Sequence, residues 1–214
     1  MQDYKHIILV DDHPIVRQGL KLILEQEKSY SVDWEAEDAM GAINSIKQNK
    51  PDIAIIDISL KNISGLELIK WIQKLDFKVT VLVVSMHDEA IYAERAIKAG
   101  ARGYVMKQEA SETIIQALKQ IEKGKTYISQ SIKSRLDMDM FQKNAVTPYI
   151  GALTDRELEV FQLFGQGFKV KQIAEKLLLS PKTIETHQSN IKEKLHLDSA
   201  SALTKAAIAW NMNK

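Results

Sequence analysis

Four short apolar runs in the first half of the chain each end on a side chain that chemistry can use. Residues 7–10 run into Asp11 and Asp12, 53–56 into Asp57, 81–84 into Ser85, and 103–106 into Lys107. Three carboxylates, a hydroxyl and an ammonium suit a divalent cation together with a phosphoryl group. Asp11, Asp12 and Asp57 are hard oxygen ligands of the kind Mg2+ accepts alongside water and phosphate oxygens. Asp57 is the candidate nucleophile, because a carboxylate can form an acyl phosphate. Lys107 and the metal would neutralise charge on the transferring group, and Ser85 would donate a hydrogen bond to a phosphoryl oxygen. Taken singly, an aspartate after a strand can merely cap the next helix, and Lys107 reads as a solvated surface lysine. The four positions together favour one site.

Such a site needs a scaffold that brings the four run ends to one place. Strands are expected near 6–10, 31–37, 53–57, 80–85 and 103–106. Helical patterns cover 14–27, 39–49, 65–75, 89–99 and 111–123, with Ile15, Val16, Leu20, Ile23 and Leu24 marking one face of the first. Alternating β and α units predict a doubly wound parallel sheet, whose ligands bind at the carboxyl ends of the strands. Gly100 and Gly124 read as helix stops.

The sequence has 214 residues, enough for one or two domains. It contains no cysteine, which excludes disulfides, thiolate metal sites and thiol nucleophiles. The polar start Met1-Gln2-Asp3-Tyr4-Lys5 precedes an apolar run too short for a signal peptide, and no apolar segment approaches the ~20 residues that span a bilayer. A cytoplasmic protein without membrane contact is the expectation.

From Lys125 to Ile150 the pattern is irregular and reads as a linker, helical around 130–142. Beyond it come four helical patterns and no strand. Thr154 with Glu157 forms a capping box for the first, which Gly165 and Gly167 end. The second covers about 170–177. Ser180 caps the third, with Pro181 at its first position, and it runs to about 195. The fourth covers about 199–210. Residues 1–150 carry a net charge of −1 and residues 151–214 a net of +2. The basic bias within 169–194 favours a polyanion partner. Helices two and three, joined by Leu178-Leu179-Ser180, make a helix-turn-helix candidate with Ile173, Ala174 and Leu177 facing Ile184, Ile191 and Leu195. The free face carries Lys182, Glu185, Thr186, Ser189 and Lys192. Lys176 and Lys194 read as a solvated face. In such motifs the second helix enters the major groove.

Ile8-Leu9-Val10-Asp11-Asp12-His13, the Asp57 strand with Gly65 eight residues on, Ser85, and Gly103-Tyr104-Val105-Met106-Lys107 resemble the receiver domain of two-component response regulators. The resemblance implies a flavodoxin-like fold and phosphorylation of Asp57 by a cognate sensor histidine kinase. It implies Mg2+ on Asp12 and Asp57 with help from Asp11 and the Ser59 carbonyl. It also implies a switch in which Ser85 moves towards the phosphoryl group and Tyr104 rotates inward, although Tyr104 can equally be a core aromatic. Ser59 and His87 would tune phosphoryl lifetime. Lys61 stands where many receivers carry proline, which bears on loop mobility and not on phosphorylation.

Leu153-Thr154-Asp155-Arg156-Glu157, Ile173-Ala174 and residues 179–187 resemble the LuxR-type helix-turn-helix, so the whole chain is similar to NarL/FixJ-family response regulators. By that resemblance Glu185, Thr186 and Ser189 face bases, while Lys169, Lys171, Lys182, Thr183 and Lys192 lie towards the DNA backbone. His187 reads as a packing residue that also reaches towards phosphate. The last helix, with Leu203, Ala206, Ala207 and Trp210, pairs two DNA-binding domains in the family, and a helix of the same domain could equally cover it. The expected organisation is a receiver at 1–124, a linker at 125–149 and a small all-α four-helix LuxR-type domain at 150–214. The expected function is a transcription factor, not an enzyme, which binds DNA and forms a homodimer when phosphorylated, with RNA polymerase as a further partner. Two other classes compete. A protein-interaction regulator would show no DNA dependence. An aspartyl-phosphate phosphatase would want a second carboxylate two residues after Asp57, where Ser59 stands. A quorum-sensing LuxR regulator shares the second domain alone.

Overall fold

In the computed structural model, residues 4–130, 132–134 and 150–212 are described. The chain divides into two units, 1–141 and 142–214. The first alternates β1 (Lys5–Val10), α1 (Pro14–Glu25), β2 (Tyr30–Ala36), α2 (Ala39–Asn49), β3 (Ile53–Ile56), α3 (Gly65–Ile72), β4 (Thr80–Ser85), α4 (Glu89–Ala99), β5 (Gly103–Met106) and α5 (Ala110–Glu122). All strand pairs are parallel, in the order β2-β1-β3-β4-β5. The chain leaves β1 for β2 on one side and returns to β3 on the other, so the topological switch point lies between β1 and β3. Val10 pairs with Ile56, which brings the ends of β1 and β3 level, and Ile56 pairs with Val83, two residues before the end of β4.

Successive strand residues point to opposite faces, and both faces are covered. Ile7, Leu9, Ile55, Leu82, Val84 and Val105 pack with Leu20 and Leu24 of α1 and Ile114 and Leu118 of α5. Their neighbours Ile8, Val10, Ile56, Val81 and Val83 are equally buried on the other face, where α2 meets α3 and α3 meets α4. This two-sided burial explains the unbroken apolar runs.

The helix starts are locally written. Asp38, Ser64 and Asp88 accept backbone N–H groups at the starts of α2, α3 and α4. Gly100 closes α4 at φ 118°, and Gly124 follows α5 at φ 77°. Helix α3 ends at Ile72 rather than 75, because Lys74 and Leu75 donate to carbonyls three residues back, in a tightened last turn. Helix α1 ends at Glu25 for the same reason, with Glu27 N–H on Leu24 O.

The segment read as linker from residue 125 departs from expectation. Tyr127 N–H donates to Arg102 O at 3.0 Å, and Tyr104 N–H donates to Tyr127 O at 2.8 Å. The chain thus adds a short parallel bridge beside β5. A helical turn follows, with Lys133 N–H on Ser129 O. The remainder of the expected 130–142 helix lies outside the described residues.

The second unit comprises α6 (Asp155–Gly165), α7 (Val170–Lys176), α8 (Pro181–Lys194) and α9 (Ala200–Met212). Thr154 and Glu157 form the expected capping box, and Ser180 with Pro181 opens α8 as expected. Leu158, Phe161, Phe164, Ile173, Ile184, Ile191, Leu203 and Ala207 are buried. Phe161 meets Trp210 at 5.9 Å between ring centroids, so a helix of the same domain covers part of α9. Gly165 is more than a helix stop. A Cβ there would lie 2.5 Å from Ala207 O and 2.4 Å from Asn211 Nδ2, so glycine lets α6 and α9 approach. No described helix is long and apolar enough to cross a membrane.

Candidate functional site

Strand ends place the first site. Asp57 N–H donates to Val10 O at 2.8 Å, which sets Asp57 beside Asp11. Lys107, which follows β5, sends its ammonium inward to Asp11 Oδ2 at 2.6 Å and to Asp57 Oδ2 at 2.7 Å. Its side chain is 8% exposed, so it is no solvated surface lysine. Asp11 Oδ1 accepts His13 N–H at 2.9 Å. Asp11 therefore steadies the start of α1 as well as holding Lys107. Arg17 fixes the same corner, donating to Asp11 O at 2.6 Å and to Glu35 at 3.0 Å. Sequence reading missed Arg17, whose partners lie across β1 and β2.

Asp57 Oδ1 is buried with no hydrogen-bond partner among the described residues. Such an oxygen is costly unless something else takes it up. Asp11, Asp12, His13 and Asp57 offer ligand atoms within 4.8 Å of one another. His13 Nδ1 stands 2.6 Å from Asp12 Oδ1, an ion pair when the imidazole is protonated. Three carboxylates against one ammonium leave an excess of negative charge. This donor set fits a hard divalent cation of the magnesium kind. His13 stands in the receiver-like motif, but its sequence position alone assigns it no role as a ligand.

Ser85 is fully buried and its Oγ accepts His87 N–H at 3.3 Å. Tyr104 is 2% exposed and its hydroxyl donates to His87 O at 2.7 Å. Burial pushes the Tyr104 phenol well above its ordinary value; the Ser85 hydrogen bond works against this, while the nearby Asp57 charge adds to it. Tyr104 is thus a core aromatic, and its polar tip reaches the loop after β4. Ser59 Oγ and His87 Nε2 share a hydrogen bond of 2.7 Å, and the His87 ring packs on Tyr92 at 4.4 Å. Burial works to lower the Lys107 ammonium, but the Asp57 charge and the bonds to Asp11 and Asp57 more than offset it, so its pKa is raised. Lys61 pairs with Glu37 and its backbone bridges to Asp38.

Gly65 belongs to this site by exclusion. A Cβ there would lie 2.0 Å from Asp57 O and 2.9 Å from Asp57 C. Helix α3 therefore starts directly against the backbone of the candidate phosphoacceptor.

The second candidate surface lies on α7 and α8. Lys169, Lys171, Lys182, Glu185, Thr186 and Ser189 are exposed, while Thr183 and Lys192 are half-buried. Thr183 Oγ1 pairs with Ser180 Oγ at 2.8 Å, and Thr186 Oγ1 donates to Lys182 O at 3.0 Å. Ile173, Ala174, Leu177, Ile184, Ile191 and Leu195 form the expected buried stripe. The turn between the helices carries Leu178 at φ 52°, and Leu179 N–H reaches Ala174 O at 2.8 Å. Arg156 braces the turn from α6, donating to Leu177 O at 3.1 Å.

Lys194 is corrected, whereas Lys176 is exposed as expected. Lys194 Nζ meets Glu157 Oε2 at 2.6 Å, a buried carboxylate on α6, and is not part of a solvated face. Lys176 Nζ lies 5.7 Å from the Phe168 ring centroid, in cation–π range. His187 is half-buried with Nδ1 unpartnered among the described residues, and burial foremost, then the Arg156 charge, lowers its pKa. It is a packing residue.

Comparison with known proteins covers both units. Residues 7–119 match the response regulator receiver domain, and residues 151–207 match the luxR family of bacterial regulatory proteins. The chain is 33% identical over 206 residues to a nitrate/nitrite response regulator protein homolog of Haemophilus influenzae, covering 95% of this chain and 96% of that one. It is 30% identical over 203 residues to the response regulator UvrY of Escherichia coli, covering 95% and 93%. Among solved structures it is similar to the RcsB response regulator of Salmonella typhimurium, with TM-score 0.67, 29% identity, and 97% and 98% of the two chains covered. RcsB bound to the promoter P1flhDC with the phosphomimetic BeF3− is similar at TM-score 0.58 and 30% identity, covering 94% and 96%.

Proposed function

The chain belongs to the transcription-regulating response regulators, not to an enzyme family, and from that premise we propose a phosphorylation cycle centred on Asp57. The observation that carries the proposal is the asymmetry of the Asp57 carboxylate. One oxygen is held by Lys107, and the other is buried without a partner among the described residues. In this reading Asp57 Oδ1 attacks the phosphorus of a phosphohistidine on a cognate sensor kinase. A P–O bond forms as the P–N bond breaks, and the histidine nitrogen leaves. Asp12 and Asp57, with Asp11 and the Ser59 carbonyl, would hold Mg2+. The ion, when bound, supplies charge neutralisation on the phosphoryl oxygens. Lys107 neutralises the same group from the other side and keeps Asp57 oriented. Ser85 turns its hydroxyl to a phosphoryl oxygen, and Tyr104 follows through the His87 carbonyl.

The output is DNA binding by α8. Glu185, Thr186 and Ser189 read base edges, and Lys169, Lys171, Lys182, Thr183 and Lys192 contact phosphates. Phosphorylation favours a homodimer on DNA, and RNA polymerase is the further partner, all within the cytoplasm. The domain limits proposed are 1–124, 125–149 and 150–214.

Selection from a random DNA pool, with and without Mg2+ and beryllofluoride, tests this. Enrichment of an inverted repeat, stronger with the mimic, is expected. Equal enrichment in both conditions would remove phosphorylation control, and no enrichment would favour a protein-interaction output.

A further inference from the structure

The chain leaving α5 is held by three elements at once. Gln120 of α5 donates its side-chain amide to Thr126 O at 2.8 Å. Tyr127 exchanges two backbone hydrogen bonds with the edge of β5, at 3.0 and 2.8 Å. Glu89, the first residue of α4, accepts Ser129 N–H on Oε1 at 2.7 Å. Ile132, just beyond, is buried. A bare linker has none of these bonds.

Two of these contacts connect to the phosphoryl site, through Tyr104 of β5 and through the loop that joins Ser85, at the end of β4, to Glu89. Tyr104 donates its backbone N–H to Tyr127 and its hydroxyl to His87 O. His87 N–H rests on Ser85 Oγ. Two residues on, Glu89 holds Ser129. Ser85, His87, Glu89 and Ser129 therefore form a short mechanical series, each link a hydrogen bond or two residues of chain. The Glu89 charge is also felt at the Tyr104 hydroxyl.

We propose that residues 125–130 are an output strap docked on β5 and α4, and that phosphorylation of Asp57 loosens it. The proposal rests on the reading of Asp57 as phosphoacceptor. When Ser85 turns its hydroxyl to the phosphoryl group, the His87 N–H loses its acceptor. The loop between β4 and α4 then shifts, and Glu89 moves off Ser129. The chain runs on from the strap to the DNA-binding unit, so its release changes the tether of the output domain. Binding at one site and docking at the other are then coupled, and the coupling is reciprocal.

Amide hydrogen exchange on the full-length chain, with and without Mg2+ and beryllofluoride, tests the proposal, with the 19F spectrum reporting bound mimic. The Ser129 and Tyr127 amides should exchange about tenfold or more faster with the mimic bound, as expected for local opening, while the Ile55 amide in β3 stays protected. Glu89→Ala should make Ser129 exchange fast without the mimic. By reciprocity it should tighten beryllofluoride binding roughly fivefold or more. Ser129→Pro removes the donor instead of the acceptor, and should act in the same direction. Bound mimic with unchanged Ser129 exchange, or variants that loosen the strap without altering mimic affinity, would overturn the strap and leave the phosphoryl site standing. No bound mimic at all would overturn both.

Discussion

The Lys107 ammonium donates to Asp57 Oδ2 at 2.7 Å, with both side chains almost wholly out of water. Removing one partner of a buried ion pair strands the other charge. Lys107→Met should therefore cost about 3 kcal/mol at neutral pH, read by urea unfolding. The alkaline limb checks the cause. The folded Lys107 pKa is raised, so its stabilisation is complete below the unfolded lysine value of about 10.4 and is lost as pH rises through the folded value. The wild type should lose stability more steeply than Lys107→Met above that pH. Parallel alkaline limbs would assign the stabilisation elsewhere.

Gly65 and Gly19 make a matched pair of glycine substitutions. A Cβ at Gly65 would overlap Asp57 O, whereas at Gly19 it meets nothing within 4 Å. Gly65→Ala should displace the Asp57 backbone, cost about 2 kcal/mol or more, and weaken beryllofluoride binding. Gly19→Ala, in the middle of α1, should instead stabilise by about 0.5–1 kcal/mol. Equal melting temperatures for the two variants would mean that α3 can retreat from Asp57 at little cost.

The features legible in the sequence are those with local causes. Strands buried on both faces leave unbroken apolar runs, so the ends at Asp11, Asp57, Ser85 and Lys107 could be read directly. Thr154 with Glu157, and Ser180 with Pro181, act within four residues and were equally plain. The illegible features join distant positions. Lys107 looks like a surface lysine until β5 is laid beside β4 and its ammonium finds Asp57, fifty residues away. Lys194 finds Glu157 across 37 residues. Tyr127 sits in a polar, irregular stretch, and its strand-like pairing exists because β5 offers an open edge. Gly165 has the composition of a helix stop, and its closer purpose depends on where α9 crosses.

Glu157 joins a helix cap to a distant cation. Burial works to raise its pKa, but the hydrogen bonds from Lys194 and Thr154 outweigh that, so the folded value is lowered. Glu157→Gln keeps a cap acceptor and loses the ion pair; Glu157→Ala loses both. The expected costs are about 1 and about 2 kcal/mol, read from exchange of the α6 amides. A lowered folded value means stability present above the unfolded pKa of about 4.3 and lost as pH falls through the folded one. The wild-type advantage over Glu157→Gln should therefore be flat above that pH and shrink below it. An advantage that persists into strong acid would mean packing, not charge, sets it.

Lys182 and Glu185 stand 3.6 Å apart on the exposed first turns of α8, with opposite charges. Their proposed roles separate cleanly by salt and by sequence. A lysine on a phosphate contributes to binding on every sequence, so Lys182→Ala should weaken all DNA alike and reduce the log–log salt slope by about 0.9. A carboxylate accepting from a cytosine amino group contributes at one base pair. Glu185→Gln should leave the salt slope nearly unchanged and alter discrimination at one position by about 1–3 kcal/mol. If Glu185→Gln changes affinity equally on every sequence and Lys182→Ala changes preference at one position, the two residues have exchanged roles and α8 lies in the groove rotated from the orientation proposed.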